Sequence, residues 1–284
     1  MDREPQWLLD HASNAFSQWG EDGVIARILA TLPERDRWCV EFGAGDGVAL
    51  SNTRRLIAQD GCSAVMIEGD AGKYRALERN CADRDNVRTI RAFVGFSAED
   101  GLDALLSDCG VPENFDFLSI DIDGNDYHVW QAIEKYRPKA VCVEFNPTVP
   151  PGVRFVQPAD PGVNQGCSLL ALDELARSKG YELVSVLFCN ALFVDGGYFA
   201  DFGISDNRPE VLQTDLSAVT WLFTGYDGTV HLAGSREMPW HGLRLDERRM
   251  QLLPRVLRHF PDRYSLWQKK LLGLLRRLRN LRLV

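Results

Sequence analysis

From Trp38 onward, short apolar runs alternate with amphipathic stretches, and this alternation limits the folds open to the chain more than any other feature. The runs are Trp38–Phe42, Ala64–Glu68, Val87–Val94, Phe115–Asp121 and Lys139–Phe145. They are short and nearly continuous in hydrophobicity, the pattern of strands covered on both faces. Between them, Ala49–Asp60, Ala71–Cys81, Ala98–Asp108 and Tyr127–Tyr136 read as helices. That order predicts an α/β fold, a Rossmann-like parallel sheet with helices on both sides. A helix over Leu169–Lys179 follows, and then strands Tyr181–Leu187 and Ala191–Val194. A parallel crossover needs about a dozen residues or more, so the few around Cys189 force a terminal antiparallel pair.

The pattern changes after Val194. Tyr198–Arg208 is aromatic and turn-rich, and Val219–Phe223 and Thr229–Leu232 flank Gly225-Tyr226-Asp227-Gly228, a hairpin signal. The expected organisation is an N-terminal helical segment (1–35), a Rossmann-like domain (36–196), a C-terminal extension with a β-hairpin (197–262) and a basic amphipathic helix (263–284). Residues 265–284 hold six of the 32 basic residues and no acid, so the rest of the chain stands at −14 against −8 overall. An acidic body argues against nucleic acid as a partner, because phosphate contacts need clustered Lys and Arg. Seven scattered cysteines with no C-x-x-C pair suggest neither a zinc site nor a disulfide framework. With no signal-peptide core in the N-terminal residues and no run long enough to cross a bilayer, the expected location is cytoplasmic.

The first strand runs into Val40-Glu41-Phe42-Gly43-Ala44-Gly45-Asp46-Gly47. Glycines after a buried strand let the backbone turn sharply and approach a ligand closely. The dinucleotide fingerprint Gly-x-Gly-x-x-Gly is not met, since Val48 stands where the third glycine belongs. Glu68 closes the second strand, where a carboxylate can accept hydrogen bonds from both ribose hydroxyls of a nucleoside.

Ligands in open α/β sheets bind beyond the carboxyl ends of the strands. The fourth strand finishes in Ser119-Ile120-Asp121-Ile122-Asp123-Gly124-Asn125-Asp126-Tyr127-His128, and the fifth in Glu144-Phe145-Asn146-Pro147. Asp121, Asp123, Glu144 and Asn146 offer hard oxygen ligands for Mg²⁺ or another divalent cation, which would orient a substrate hydroxyl and lower its pKa. His128 is a candidate general base, with a half-buried helix position as the alternative. Asp123, Asn125 and Asp126 have a helix cap as their plain reading. An EF-hand is excluded, because the glycine falls fourth and the twelfth position is Ala132.

Taken together, these residues resemble the FkbM-type methyltransferases. The likeness runs from Phe16-Ser17-Gln18-Trp19-Gly20-Glu21-Asp22 through Val40–Gly47, Ser51-Asn52-Thr53, Asp121–Asp126 and Val143–Pro147 to Asn190-Ala191-Leu192-Phe193-Val194. It implies a class I methyltransferase sheet, mostly parallel with a terminal antiparallel hairpin, that binds S-adenosylmethionine. By the same resemblance, Glu41, Gly43, Gly45, Glu68 and Asp121 surround the cofactor or the transferred methyl, with Gln18, Ser51 and Asn52 near its carboxylate. The implied reaction is direct in-line attack of a hydroxyl on the sulfonium methyl, the acceptor being a glycan or other small molecule. A cofactor-binding adaptor without turnover and a metal-dependent phosphohydrolase (from Asp-x-Asp-Gly) are the competing readings.

Leu266-Trp267, Leu271-Leu272, Leu274-Leu275, Leu278 and Leu281 recur at helical spacing among the tail's basic residues. Such a helix suits a peripheral position on an anionic membrane face or packing against protein, a homo-oligomer partner included. Tyr198, Phe199, Phe202, Trp240 and His241 are candidates for an acceptor pocket, with ordinary core packing as the alternative.

Overall fold

The computed structural model describes residues 3–280 and divides the chain into two compact units, Met1–Asp215 and Leu216–Val284. In the first, α1 (Glu21–Thr31) precedes seven strands: β1 (Trp38–Phe42), β2 (Ser63–Glu68), β3 (Val87–Arg91), β4 (Phe117–Ile120), β5 (Ala140–Glu144), β6 (Tyr181–Val186) and β7 (Asn190–Asp195). Interleaved are α2 (Arg54–Gln59), α3 (Ala71–Cys81), α4 (Leu102–Leu106), α5 (Asp126–Ala132), α6 (Leu169–Ser178) and α7 (Pro209–Leu212). One sheet forms in the order β3-β2-β1-β4-β5-β7-β6. β7 alone is antiparallel to its neighbours and inserts between β5 and β6. This is the expected Rossmann-like sheet, mostly parallel, with the last strand in sequence reversed and paired to β6 as an antiparallel hairpin.

Both faces of the sheet are covered. Val40, Phe42, Val65, Ile67, Leu118, Ile120, Val141 and Val143 face one apolar cluster, and Cys39, Ala64, Met66, Phe117, Ala140 and Cys142 face the other. Each large apolar side chain removed from water contributes about 1.5–3 kcal/mol, which is why the strands read as near-continuous apolar runs. All seven cysteines are free thiols. Burial pushes Cys39 and Cys142 well up from the ordinary thiol range, so both behave as small apolar side chains.

Three helices are shorter than their sequence pattern suggests, and each was cut by a polar side chain. The helix expected from Ala49 starts at Arg54, because Ser51, Asn52 and Thr53 turn inward onto Glu41. The one expected from Ala98 starts at Leu102, since Asp100 accepts the Ser97 backbone N–H and hydroxyl and closes a turn. The one expected to reach Tyr136 stops at Ala132, where the Asp103 carboxylate takes the N–H groups of Glu134 and Lys135.

The amino edge of the sheet is fastened by a buried ionic cluster. Lys139, before β5, lies 2.8 Å from Asp36 and 2.9 Å from Asp116, which precedes β4. Asp116 also accepts from Arg35 and from the backbone N–H groups of Asp36 and Arg37, just ahead of β1. Burial pulls its carboxyl upward, but the bonds from Lys139, Asp36 and Arg37 outweigh this and hold it below the ordinary range.

In the second unit, β8 (Thr220–Thr224) and β9 (Val230–Gly234) form an antiparallel hairpin about Gly225–Gly228, and α8 (Leu266–Asn280) carries the basic tail. Leu281 and Arg282 of that tail lie outside the described residues. No described helix is long and apolar enough to cross a membrane.

Asp116→Ala would leave the buried Lys139 with only the more exposed Asp36 as partner, and breaking a buried pair costs up to about 3–5 kcal/mol. Urea denaturation should therefore show the midpoint falling with its slope unchanged. Because the folded-state pKa of Asp116 is depressed, its stabilisation is present above the unfolded-state pKa and lost as pH drops through the folded value. The deficit of the variant should accordingly shrink in acid.

Candidate functional site

The glycine turn sits where the strand order reverses, between β1 and β4, at the carboxyl edge of the sheet. Gly43, at φ +73°, is pressed against the end of β4. A Cβ there would lie 1.6 Å from the carbonyl oxygen of Asp121, so only glycine fits. Gly45, at φ +58°, is the opposite case, with no heavy atom within 4 Å of the place a Cβ would occupy. The turn therefore packs hard on one side and opens to free space on the other.

Glu68, at the end of β2, holds this turn in shape. One carboxylate oxygen accepts the Gly45 N–H at 2.8 Å, and the other accepts the Asp70 N–H at 2.7 Å. Next to it Gly69 carries the ring of Phe93, which is 80% exposed just beyond β3. Phe93 was not among the sequence candidates. An apolar ring past the end of a strand is a weak signal until the fold brings it beside an acid.

Glu41 turns toward the loop that follows the glycines. It is buried, and its carboxylate takes the Ser51 hydroxyl at 2.6 Å, the Thr53 hydroxyl at 2.7 Å and the Asn52 N–H at 2.8 Å. Burial raises its pKa while these donors pull it back. Ser51 and Asn52 do gather with Glu41, but as a fastened loop, with the Asn52 amide reaching Ser119. Gln18 is exposed and contributes its backbone N–H to Glu21. Glu21, which the sequence reading passed over as a site residue, is buried and also accepts from the Asn190 amide. Its neighbour Asp22 collects the N–H groups of Ala15, Phe16 and Ser17.

Beyond β4 and β5, Asp121, Asp123 and Glu144 bring one oxygen each to within 4.8 Å of one another. The largest influence on Asp121 is burial, followed by Asp126, Asp123 and Glu41, and its pKa is pushed up to about 7. Glu144 rises to about 10, again through burial and then through Asp121, Asp126 and Asp123. Asp123 adopts φ 58°, in the left-handed region, as the loop doubles back.

The remaining candidates brace this loop. Asp126 does not cap α5 forward; it reaches back to accept the N–H groups of Ile122 and Gly124, both at 2.9 Å. Asn146 stands two residues beyond Glu144, at the start of the connection to α6. Its amide oxygen takes the Thr148 N–H and hydroxyl, and its nitrogen donates to the Gln165 carbonyl. His128 Nε2 lies 2.9 Å from the Gln157 carbonyl, which can only accept, so this nitrogen is the donor. Its ring packs between Phe96 and Tyr127. The long connection from β5 to α6 folds over the acidic loop and returns two more bonds, Asn125 to the Asp160 carbonyl and Asn164 to the Asp123 carbonyl.

No protein-family model matches the chain, and no curated protein does. Solved structures similar to it include the N-terminal domain of EvdMO1 with SAH bound, 14% identical over 62% of this chain and 80% of that one, with a TM-score of 0.41. Another is the METTL16 MTase domain, 13% identical over 60% and 63%, with a TM-score of 0.41. A third is a SAM-dependent methyltransferase from Aquifex aeolicus, 12% identical over 60% and 88%, with a TM-score of 0.36.

The raised carboxyls make stability fall with pH. Between the unfolded-state pKa near 4 and the folded-state value, the unfolded chain ionises freely while the folded chain holds its protons. Thermal denaturation should show the protein losing stability from pH 5 to pH 8. Glu144→Gln should lessen that loss by at least about 1 kcal/mol, the worth of roughly one pKa unit. A variant as pH-sensitive as the parent would refute this account of the cluster.

Proposed function

We propose that the chain is an S-adenosylmethionine-dependent methyltransferase that transfers methyl to a hydroxyl of a saccharide or related natural product, as its FkbM-like motifs imply. The observation that carries this reading is the Gly43–Gly45 turn, closed against β4 on one side, open at Gly45 on the other and held by Glu68. A nucleoside fits that geometry. Each Glu68 oxygen accepts one backbone N–H and keeps a second lone pair for ribose hydroxyls, and the exposed Phe93 ring beside it offers a face for a purine. S-adenosylmethionine would supply the electrophilic methyl on its sulfonium.

Asp121 then stands at the right place for proton management. Its backbone touches the glycine turn, and its side chain opens the carboxylate cluster. A carboxyl that titrates near neutrality is matched to general-base work on a hydroxyl at physiological pH. Positioning of the acceptor, more than covalent chemistry, is what such a site contributes.

A hard divalent cation such as Mg²⁺ also fits the cluster. Asp121, Asp123 and Glu144 supply only oxygen ligands, and after burial the main influences raising Asp121 and Glu144 are other carboxylates. These three residues would hold the ion, which would relieve their repulsion and acidify a bound hydroxyl. Asn146, a further oxygen candidate, would join them only by giving up the bonds its amide oxygen takes from Thr148.

Calorimetric titration with S-adenosylhomocysteine tests the cofactor assignment. Micromolar binding is expected, weakened at least tenfold in Glu68→Ala and also weakened in Gly45→Ala, whose methyl would enter open space. No binding by the folded protein, with or without Mg²⁺, would refute the proposal. For the reaction, labelled methyl should pass to hydroxyls of candidate glycans, and transfer only to nitrogen or carbon acceptors would rule out O-methylation. If the cation is part of the site, EDTA should lower the rate at least tenfold and Mg²⁺ restore it, with Asp121→Asn insensitive to both.

A further inference from the structure

The second unit carries a surface that the proposed chemistry does not use. α8 is fifteen residues long, and its inward side is formed by the half-buried Leu271, Leu272 and Leu275. Its outward side is not simply polar. Trp267 is 56% exposed, Leu274 53% and Leu278 52%. At 100° per residue these three fall within about 40° of one another, so they form one apolar ridge along the helix. Lys270 and Arg277 lie about 40–100° to one side of that ridge, and both are exposed. Lys269, Arg276 and Arg279 complete a helix surface with no acidic residue.

We propose that α8 is an interfacial helix that docks the protein on an anionic bilayer surface, with the Trp267–Leu274–Leu278 ridge seated at the headgroup boundary. Three observations favour this occupant. The ridge combines a tryptophan with two leucines beside a lysine and an arginine, the side-chain set that stabilises a helix lying in a membrane interface. The helix carries five basic residues and no acid in a chain whose net charge is −8, so this element stands out as one that would attract anionic headgroups. The exposure is also costly without a cover, because large apolar side chains in contiguous array on a surface mark a binding site. A second copy of the chain fits less well. A two-fold contact through this ridge would bring Lys270 and Arg277 against their own copies.

The surface is independent of the cofactor site, and its test can fail without affecting the methyltransferase reading. The full chain would be mixed with sedimenting vesicles of neutral phosphatidylcholine, or of phosphatidylcholine with 30 mol% phosphatidylglycerol, at low and high salt. Binding to the anionic vesicles only, weakened by salt, is expected. Leu274→Glu with Leu278→Glu, and separately Lys270→Glu with Arg277→Glu, should each reduce it at least tenfold. These residues are exposed, so the thermal midpoint and S-adenosylhomocysteine binding should stay as in the parent. Tryptophan emission should shift to the blue on vesicle binding, and the shift should diminish in Trp267→Phe. The proposal is overturned by absent binding, by equal binding to neutral vesicles, or by anionic binding that survives the ridge substitutions. It is also overturned if the free protein is a dimer that Leu274→Glu dissociates.

Discussion

Gly43 rests on the carbonyl of Asp121 so closely that no side chain could stand between them, and much of the site follows from this contact. It brings the turn after β1 directly onto the end of β4, where the sheet reverses its strand order. The opening in front of Gly45 and the carboxylate of Asp121 are thereby fixed on the same short stretch of backbone. Glu68 completes the arrangement from β2 by holding the Gly45 N–H, so the ends of three strands meet at the turn.

The sheet's two edges are built on opposite electrostatic terms. At the amino edge Asp116 has Lys139 and Arg35 as partners, and its carboxyl is held down. At the carboxyl edge Asp121, Asp123 and Glu144 crowd together with carboxylates as the main charged influences, and Asp121 and Glu144 are held up. A fold gains stability from the first arrangement and gives some of it up to the second.

The strands were legible because both sheet faces are buried, which leaves a continuous apolar run in the sequence wherever a strand passes. Val40, Met66 and Val141 need no distant information to be read as core. Helix starts were less legible. Ser51, Asn52 and Thr53 look like the opening of a helix, yet a buried acid ten residues earlier captures them. The same limit applied at the site. Asp121 and Glu144 could be placed by strand order alone, and they do converge. Asn146 and His128 could not, because what they bond to is the 145–168 connection, whose path no local pattern announces. Glu41 was recognised as important, but its three donors make it a fastener of the loop beside the turn.

That long connection answers a problem the acidic cluster creates. Carboxylates brought this close repel one another, and a loop of Asp, Gly and Asn has little apolar surface with which to resist spreading. Asp126 folds the loop back on itself through Ile122 and Gly124, while Asp160, Asn164 and Gln157 tie Asn125, Asp123 and His128 to the covering segment. Gly124 lies so near that segment that a Cβ would meet the Val163 carbonyl at 3.0 Å. His128 and Asn146 thus take part in the frame around the carboxyls that converge. Carboxyls crowded this closely need such a frame more than they need a further acid, and His128 and Asn146 supply bonds to it.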